Sequence, residues 1–201
     1  QLARLNQNRV IEKVRTSFYP GEQEWRFRKQ HLQAVAYEAV LKSERAQGHQ
    51  AVAQWLENRS DDTRMAHLPL IASHLEQAGE RDDAANAWMK VADYNEARYA
   101  NQEAFTAVAH ALSNQQNWPE AQLVDCRLRA GVLSHRLGDH TTAEDYLLAV
   151  CDSDEASSDA QIKALRFLSR IAGLKGDAQR RRSYCERALA LRANGSATES
   201  L

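Results

Sequence analysis

The chain of 201 residues contains few of the residues that interrupt helices, with only three prolines and eight glycines. This scarcity favours long helices joined by short turns. Cysteine is scarce as well, and Cys126, Cys151 and Cys185 are far apart, odd in number and without a CxxC pair. We therefore expect reduced, partly buried thiols rather than a disulfide framework, a redox centre or a metal site.

Long apolar runs are also missing. The longest are far shorter than the roughly 20 residues that a membrane-spanning helix needs, and no basic segment followed by an apolar one opens the chain. We expect a cytoplasmic location and no membrane partner. Because the chain begins at Gln1 rather than Met, we also expect it to be a piece of a longer protein.

Charge of one sign does not dominate, since 26 Lys and Arg residues face 27 Asp and Glu residues. This balance gives no global reason to expect nucleic acid as a partner. Locally, residues 1–31 hold seven cations and three acids, and residues 160–193 hold nine cations and two acids. Within the second stretch, Arg180, Arg181 and Arg182 form a candidate docking face for an acidic partner, for nucleic acid or for the acidic residues 139–159. The alternative is a solvated helix face.

The periodic pattern predicts one short hairpin and many helices. Two β-branched or aromatic segments flank the turn sequence YPGE, so residues 10–28 are predicted to form a β-hairpin after a short helix. Apolar residues with helical spacing then predict amphipathic helices to the end of the chain. Their predicted ranges are 30–41, 43–58, 63–78, 81–98, 101–114, 119–137, 140–152, 158–175 and 177–193.

An internal repeat organises these helices. Suppose that Gly79, Gly138 and Gly176 each mark a turn. A small residue then stands seven positions before each turn. After the first two turns, an alanine follows at the fifth position and a bulky residue at the ninth. These positions hold Ala72, Gly131 and Ser169, then Ala84 and Ala143, then Trp88 and Leu147. This arrangement is typical of tetratricopeptide repeats, in which small residues let helices approach closely. The turn spacings of 59 and 38 residues differ from the usual 34, and Arg181 breaks the third repeat, so we expect an irregular array.

The predicted fold class is mainly α, an irregular tetratricopeptide-like α-solenoid preceded by a partial winged-helix unit with one short β-hairpin. The predicted domains are residues 1–58 for the winged-helix remnant and two linking helices, and 59–195 for the helical repeats. Residues 196–201 are predicted to be a flexible tail.

Four stretches carry a family resemblance: FRKQHLQAVAYEAVL, ERAQGHQAVAQWLE, IASHLEQAGERDDAANAW and ARYANQEAF. Together they resemble the region that follows the ATPase module in bacterial STAND-class signalling ATPases, which are joined to adenylate or guanylate cyclases, kinases or transcription-activator domains. The resemblance covers residues 2–113 and implies a winged-helix tail followed by tetratricopeptide helices. The sequence departs from the family where Lys29 replaces a histidine and Gly48 replaces a leucine before His49.

The resemblance implies a non-catalytic sensor and protein-interaction region. Its partner would be another protein or the ATPase module of its own longer chain, with a small-molecule or peptide inducer as a further ligand. The alternative is a DNA-binding transcription regulator that uses the arginines of the winged helix to contact phosphates. Nucleic acid is the less favoured partner, because winged helices of this family pack within their own protein.

Motifs for chemistry are absent from the chain. There is no GxxxxGK[ST] loop to bind nucleotide phosphates, and no cyclase or kinase motif. The seven histidines form no i, i+4 pair and no HExxH motif, and the acidic run at 152–159 lacks the glycine and final glutamate of a calcium loop. We expect no catalytic residue, no cofactor and no metal.

Candidate binding residues follow from the repeat. If the first helix of each pair lines a groove, its polar residues are Arg64, His67, His74 and Arg127, which we predict to contact a partner. The aromatic residues of the central stretch have helical spacing and are predicted to belong to the core. They are Trp88, Tyr94, Tyr99 and Phe105.

Overall fold

The computed structural model describes residues 1–19, 21–59 and 61–198, and it describes side chains throughout these ranges except at 61–63 and 194–198. Within them lie eleven helices and one two-stranded sheet. The predicted fold class, a mainly α helical-repeat protein with one short hairpin, is therefore confirmed. None of the described helices is long and apolar enough to cross a membrane.

Helix bounds agree closely with the prediction at most places. The first elements are α1 (Leu2–Gln7), β1 (Ile11–Lys13), β2 (Trp25–Phe27), α2 (Gln30–Ala39), α3 (Lys42–Glu57), α4 (Asp61–Ala66) and α5 (Leu68–Ala78). They are followed by α6 (Arg81–Glu96), α7 (Asn101–Asn114), α8 (Glu120–Arg136), α9 (His140–Cys151), α10 (Ser158–Leu174) and α11 (Ala178–Thr198).

One predicted helix, 63–78, is wrong as a single element. It is broken at His67, and Pro69 stands in the first turn of α5. Proline has no N–H to donate, so it is tolerated in the first turn of a helix but not in the middle of one. Helix α11 also extends past the predicted end at 193. It contains residues 196–198 of the predicted tail, and residues 199–201 of that tail lie outside the described residues.

The chain divides into two compact units, residues 1–49 and residues 50–201, which we call the N-terminal unit and the C-terminal unit. The division falls inside α3. The domain boundary predicted at 58/59 stays a prediction.

The N-terminal unit contains the predicted hairpin. Strands β1 and β2 are antiparallel, with Ile11 opposite Phe27 and Lys13 opposite Trp25. The connection between them is longer than a tight turn, and Pro20 of the predicted YPGE turn lies outside the described residues. Among the described residues of this unit only Ile11 is buried. Helix α2 buries none of its residues, although its sequence pattern is amphipathic.

The C-terminal unit is a row of helices in which each of α5 to α11 packs on the next, and α8 also packs on α10. Four of the helix connections share one turn, with a residue in the left-handed region: Gly79 (φ 86°), Tyr99 (φ 59°), Gly138 (φ 84°) and Gly176 (φ 75°). In each turn the next N–H donates to the carbonyl four residues before the left-handed residue, as Asp139 does to Ser134 at 3.0 Å. This bond satisfies a carbonyl at the helix end that would otherwise lack a partner.

Tyr99 explains the irregular spacing that the glycines indicated. It occupies the glycine position of the turn between α6 and α7, so Tyr99, Gly138 and Gly176 follow one another at intervals of 39 and 38 residues. The positions seven before, five after and nine after Tyr99 are Ala92, Ala104 and Val108, all fully buried. Helix α6 therefore pairs with α5 before it and with α7 after it.

Small residues allow these hairpins to close. A Cβ added to Gly131 would lie 2.6 Å from Cγ of Leu147, the residue nine positions after the turn. In the last pair the equivalent residues also meet, since Oγ of Ser169 lies 3.2 Å from Sγ of Cys185. The predicted role of the position seven residues before each turn, close approach of two helices, is thus confirmed in these hairpins.

An apolar cluster joins α8, α9 and α10, and Leu147, Leu165 and Leu168 in it are almost fully buried. All three cysteines are free thiols, and Cys126 and Cys151 are buried. Burial raises the pKa of the Cys126 thiol to about 12 and that of the Cys151 thiol to about 11. Both thiols are therefore protonated and unreactive at neutral pH.

Candidate functional site

An open cleft of 730 Å³ lies in the C-terminal unit. It is lined by residues of α3, α4 and α5 and by residues of α6. Its floor is apolar, and Leu68, Ile71 and Ala87 in that floor are buried. Its volume is within the range of small-molecule and peptide sites, about 300–1,000 Å³. The remaining lining residues are Glu57, Arg64, Met65, Lys90, Asp93, Tyr94 and Ala97.

Helix α6 supplies one face of this cleft through residues three, four and three positions apart: Ala87, Lys90, Tyr94 and Ala97. This spacing places them on the same side of a helix. The guanidinium of Arg98 lies over the Tyr94 ring, 4.3 Å from its centre, which limits the rotation of the ring. The cleft therefore has an aromatic wall of defined position.

Charge at the cleft rim is set by a contact from α8. Arg129 donates to Asp93 and to Glu96, at 2.7 Å in each case, so the cation neutralises the Asp93 carboxylate. Lys90, one helical turn earlier, makes no ion pair with any residue that the structure describes. The rim above the apolar floor therefore carries Lys90 and Arg64 together with the carboxylate of Glu57.

The four predicted partner-binding residues do not meet in this cleft. Arg64 lines it, whereas His67, which precedes α5, and His74, on α5, are half-buried and are not part of the lining. Arg127 lies on α8, where it forms an ion pair with Glu120 at 2.8 Å. Partner binding by these four residues stays a prediction.

Sequence reasoning missed the α6 wall, made by Lys90, Asp93 and Tyr94. Tyr94 was predicted to be core, and it is half-buried and lines the cleft. Tyr99, also predicted to be core, is 86% exposed, so that prediction is wrong. The signal that could have found the wall is the spacing of Lys90 and Tyr94, which stand four positions apart on one predicted helix.

Trp88 lies on α6 away from this wall, where it bridges three helices. Its ring stacks on that of His110 with 4.4 Å between centres, and its Nε1–H donates to Glu76 at 3.1 Å. Nδ1 of His110 lies 3.4 Å from the same carboxylate oxygen. These contacts join α5, α6 and α7 and give Trp88 a structural role.

A second concave surface lies at the last helix pair. It consists of two adjoining pockets of 490 and 430 Å³ that share Gly173 and Arg181, and we call it the basic groove. The first pocket is also lined by His135, Ser169, Arg170 and Leu174, and the second by Gly176, Ala178, Arg182 and Cys185.

The structure separates the three arginines predicted as a docking face. Arg181 and Arg182 line the basic groove. Arg180 does not, because its guanidinium turns back to Asp177 at 3.5 Å and its backbone N–H donates to the same carboxylate at 2.9 Å. The docking role of this face stays a prediction.

His135 lies between the groove and the protein interior. Its ring lies 5.3 Å from those of His140 and Phe167, measured between centres. Nδ1 of both histidines is buried and makes no hydrogen bond to the described residues. Burial lowers the pKa of His135, and the positive charges of His140 and Arg170 lower it further.

Metal ligands do not come together in the described part of the chain, where no group of three His, Cys, Asp or Glu side chains could hold an ion.

Comparison with known proteins gives one structural likeness. No protein-family model matches the chain, and its sequence matches no curated protein. Among solved structures, it is similar to the crystal structure of MamA, with 14% sequence identity and a TM-score of 0.48 over 76% of this chain and 89% of that chain.

Proposed function

We propose that this chain is the non-catalytic regulatory and protein-interaction region of a larger STAND-class signalling ATPase. The observation that carries the proposal is the 730 Å³ cleft, which combines a buried apolar floor with exposed Lys90 on its rim. Such a combination binds a protein segment through apolar contact while charge fixes its orientation. The STAND context itself rests on the sequence resemblance over residues 2–113. With this context we also propose that the protein is cytoplasmic and that this chain catalyses no reaction.

The exposed apolar side chains of the N-terminal unit support a covering partner. Leu2 is 50% exposed, Val35 is 64% exposed and Leu41 is 67% exposed. Exposed apolar residues grouped in one small unit are typical of an interaction surface. The proposed partner that covers these apolar side chains is the ATPase module of the longer protein.

The proposed mechanism is a shift between two states of the ATPase. A row of helix pairs changes curvature at low cost because each pair contacts only its neighbours. A partner or inducer that binds one curvature more tightly then shifts the whole protein toward that state.

Nucleotide turnover by the longer protein tests this function. We expect deletion of residues 59–193 to change the turnover rate severalfold, and unchanged turnover would contradict a regulatory role. Tyr94→Ala, in the cleft wall, should change turnover in the same direction as the deletion. Tyr99→Ala is the matched control, because Tyr99 is exposed outside the cleft.

DNA binding by the winged helix remains the alternative, with less support. Two arginines of the hairpin are already engaged, since Arg26 contacts Glu12 at 2.7 Å and Arg28 contacts it at 3.5 Å. A gel shift with the full chain would test it. Salt-sensitive retardation of duplex DNA that is lost in Arg26→Glu would favour this alternative over the protein-interaction role.

A further inference from the structure

The basic groove arises from a paired departure from the repeat. Five positions after the turn, the other three hairpins have a fully buried alanine, namely Ala84, Ala104 and Ala143. The last hairpin has Arg181 at this position, and it is exposed. Across from it stands Gly173, three positions before the turn.

Gly173 lies against this arginine. A Cβ on Gly173 would lie 3.6 Å from Cδ of Arg181 and 3.8 Å from its Nε and Nη1, which is ordinary van der Waals distance, so a side chain much larger than alanine would occupy the space beside the guanidinium. The equivalent positions of the other hairpins hold larger side chains, Glu76, Glu96 and His135. The result is a groove whose floor has no side chain and whose wall is a cation.

Unpaired cations are frequent on α10 and α11, and three of them, Arg170, Arg181 and Arg182, line the groove. Of the nine Lys and Arg residues in 160–193, Lys175 is paired with Glu144 at 2.7 Å and Arg180 with Asp177. The other seven form no ion pair within the part of the chain that the structure describes: Lys163, Arg166, Arg170, Arg181, Arg182, Arg187 and Arg192. An uncompensated positive surface of this kind attracts an anionic partner.

The groove also carries an apolar contact. Leu174 lines the first pocket beside Arg170 and Arg181, and 66% of its surface is exposed. The groove lining contains the aromatic ring of His135, but that ring is half-buried and lies beside the rings of His140 and Phe167. Arg170 lies over the Phe167 ring, 5.6 Å from its centre. Single-stranded nucleic acids are bound mainly through stacking on exposed aromatic rings, so the lining favours protein.

We propose that the basic groove is a second docking surface, separate from the cleft, that binds an acidic protein segment carrying a leucine-like side chain. The carboxylates of the segment pair with Arg170 and Arg181 on the two walls, its backbone crosses Gly173, and its apolar side chain contacts Leu174. The groove shares no lining residue with the cleft.

Fluorescence anisotropy with the full chain tests the proposal. The probe is a short labelled peptide of repeated Glu-Glu-Leu triplets, compared with the same peptide carrying Gln for Glu and with a labelled poly-dT strand. We expect the acidic peptide to bind most tightly and to weaken as salt is raised. Tighter binding of the poly-dT strand would overturn the proposal in favour of a nucleic-acid surface.

Three variants locate the site. Arg170→Glu/Arg181→Glu should weaken binding on the order of tenfold or more, whereas Arg4→Glu/Arg81→Glu, the same charge change at exposed residues elsewhere, should leave it near the wild-type level. Gly173→Leu keeps every charge but fills the floor of the groove, and leucine is the better helix former, so the variant should fold and still lose binding. Wild-type binding by Gly173→Leu would overturn the proposal, because it would mean that charge alone attracts the peptide.

Discussion

The two units of this protein use similar sequence patterns with different results. Both contain helices with apolar residues at 3.6-residue spacing. In the C-terminal unit those residues are buried, with Leu147 and Leu168 fully inaccessible, whereas on α2 of the N-terminal unit Val35 remains 64% exposed. An amphipathic pattern therefore shows that a helix has a face to bury, but not that the covering element is present.

Repetition accounts for the difference. Each inner helix of the C-terminal unit packs on the helix before it and the helix after it, so apolar faces are covered on both sides. The N-terminal unit has one hairpin, two short helices and the first part of α3, and Ile11 is its one buried residue among those that the structure describes. So small a core supplies little free energy of folding, because the stabilisation scales with the apolar area removed from water.

Cutting the chain before α3 should give the largest contrast. We expect residues 42–201 to keep a cooperative thermal transition, because they retain the whole helical row. Residues 1–41 alone should show none, since chains below roughly 40 residues seldom fold without a further constraint. Circular dichroism at helical wavelengths measures both, and a cooperative transition in the short fragment would break the comparison.

The next largest effect is expected from replacing one leucine by alanine in each unit. Leu147→Ala removes a fully buried side chain and should lower the free energy of unfolding by about 2–5 kcal/mol. Leu41→Ala, at a leucine that is 67% exposed, should change it by less than about 0.5 kcal/mol. Urea denaturation of the full chain compares the two. Equal losses would mean that Leu41 belongs to a core.

Two helical glycines should respond in opposite directions to alanine. At Gly131 the new Cβ would collide with Leu147, so the strain of overpacking, about 1–3 kcal/mol, should exceed the gain of about 1 kcal/mol in helix propensity. At Gly48 nothing lies within 4 Å, and only the gain remains. In the double variant Gly131→Ala/Leu147→Ala the strain should disappear, so the loss should be less than the sum of the single losses. Strict additivity in urea denaturation would contradict the close contact.

Left-handed residues other than glycine offer a smaller test. Tyr99 (φ 59°) ends α6 and Arg9 (φ 56°) follows α1. Glycine adopts this conformation without the steric cost of a Cβ, about 1–2 kcal/mol, although it loses more entropy on folding. We expect Tyr99→Gly to raise the free energy of unfolding by about 0.5–1 kcal/mol. Arg9→Gly should leave the main unfolding transition unchanged. If it raised the free energy of unfolding as much as Tyr99→Gly does, the two units would unfold together as one cooperative structure.

The weakest expected effect is a pH dependence at His135. Its pKa is lowered in the folded chain, first by burial and then by His140 and Arg170. The unfolded chain therefore binds the proton more readily than the folded chain. The contribution of neutral His135 to the free energy of unfolding is present above about pH 6.5 and is lost as the pH falls below that value. The transition temperature of His135→Gln should fall less with acid than that of the wild type. An identical pH profile would contradict the contribution of His135.

Sequence reasoning located most helices and the positions of close approach, because these depend on local features. Gly79, Gly138 and Gly176 mark turns through their own backbone conformation, and Ala72, Gly131 and Ala143 stand at fixed distances from one of these turns. It failed at Tyr99, since a tyrosine gives no local sign that its backbone is left-handed. Without Tyr99 as a turn residue, the regular spacing of 39 and 38 residues was not visible in the sequence.

The sequence by itself determined that this protein is a row of helices with small residues at the contacts. Helix formation and close approach of paired helices depend on residues that lie near one another in the sequence. The tertiary structure alone decided which residues line the cleft, since Lys90 and Tyr94 face it only once α6 is packed. It also decided that Arg181 lies against Gly173 in a groove. These arrangements depend on residues far apart in the chain or on separate helices, and the free energy of packing, rather than local preference, brings them together.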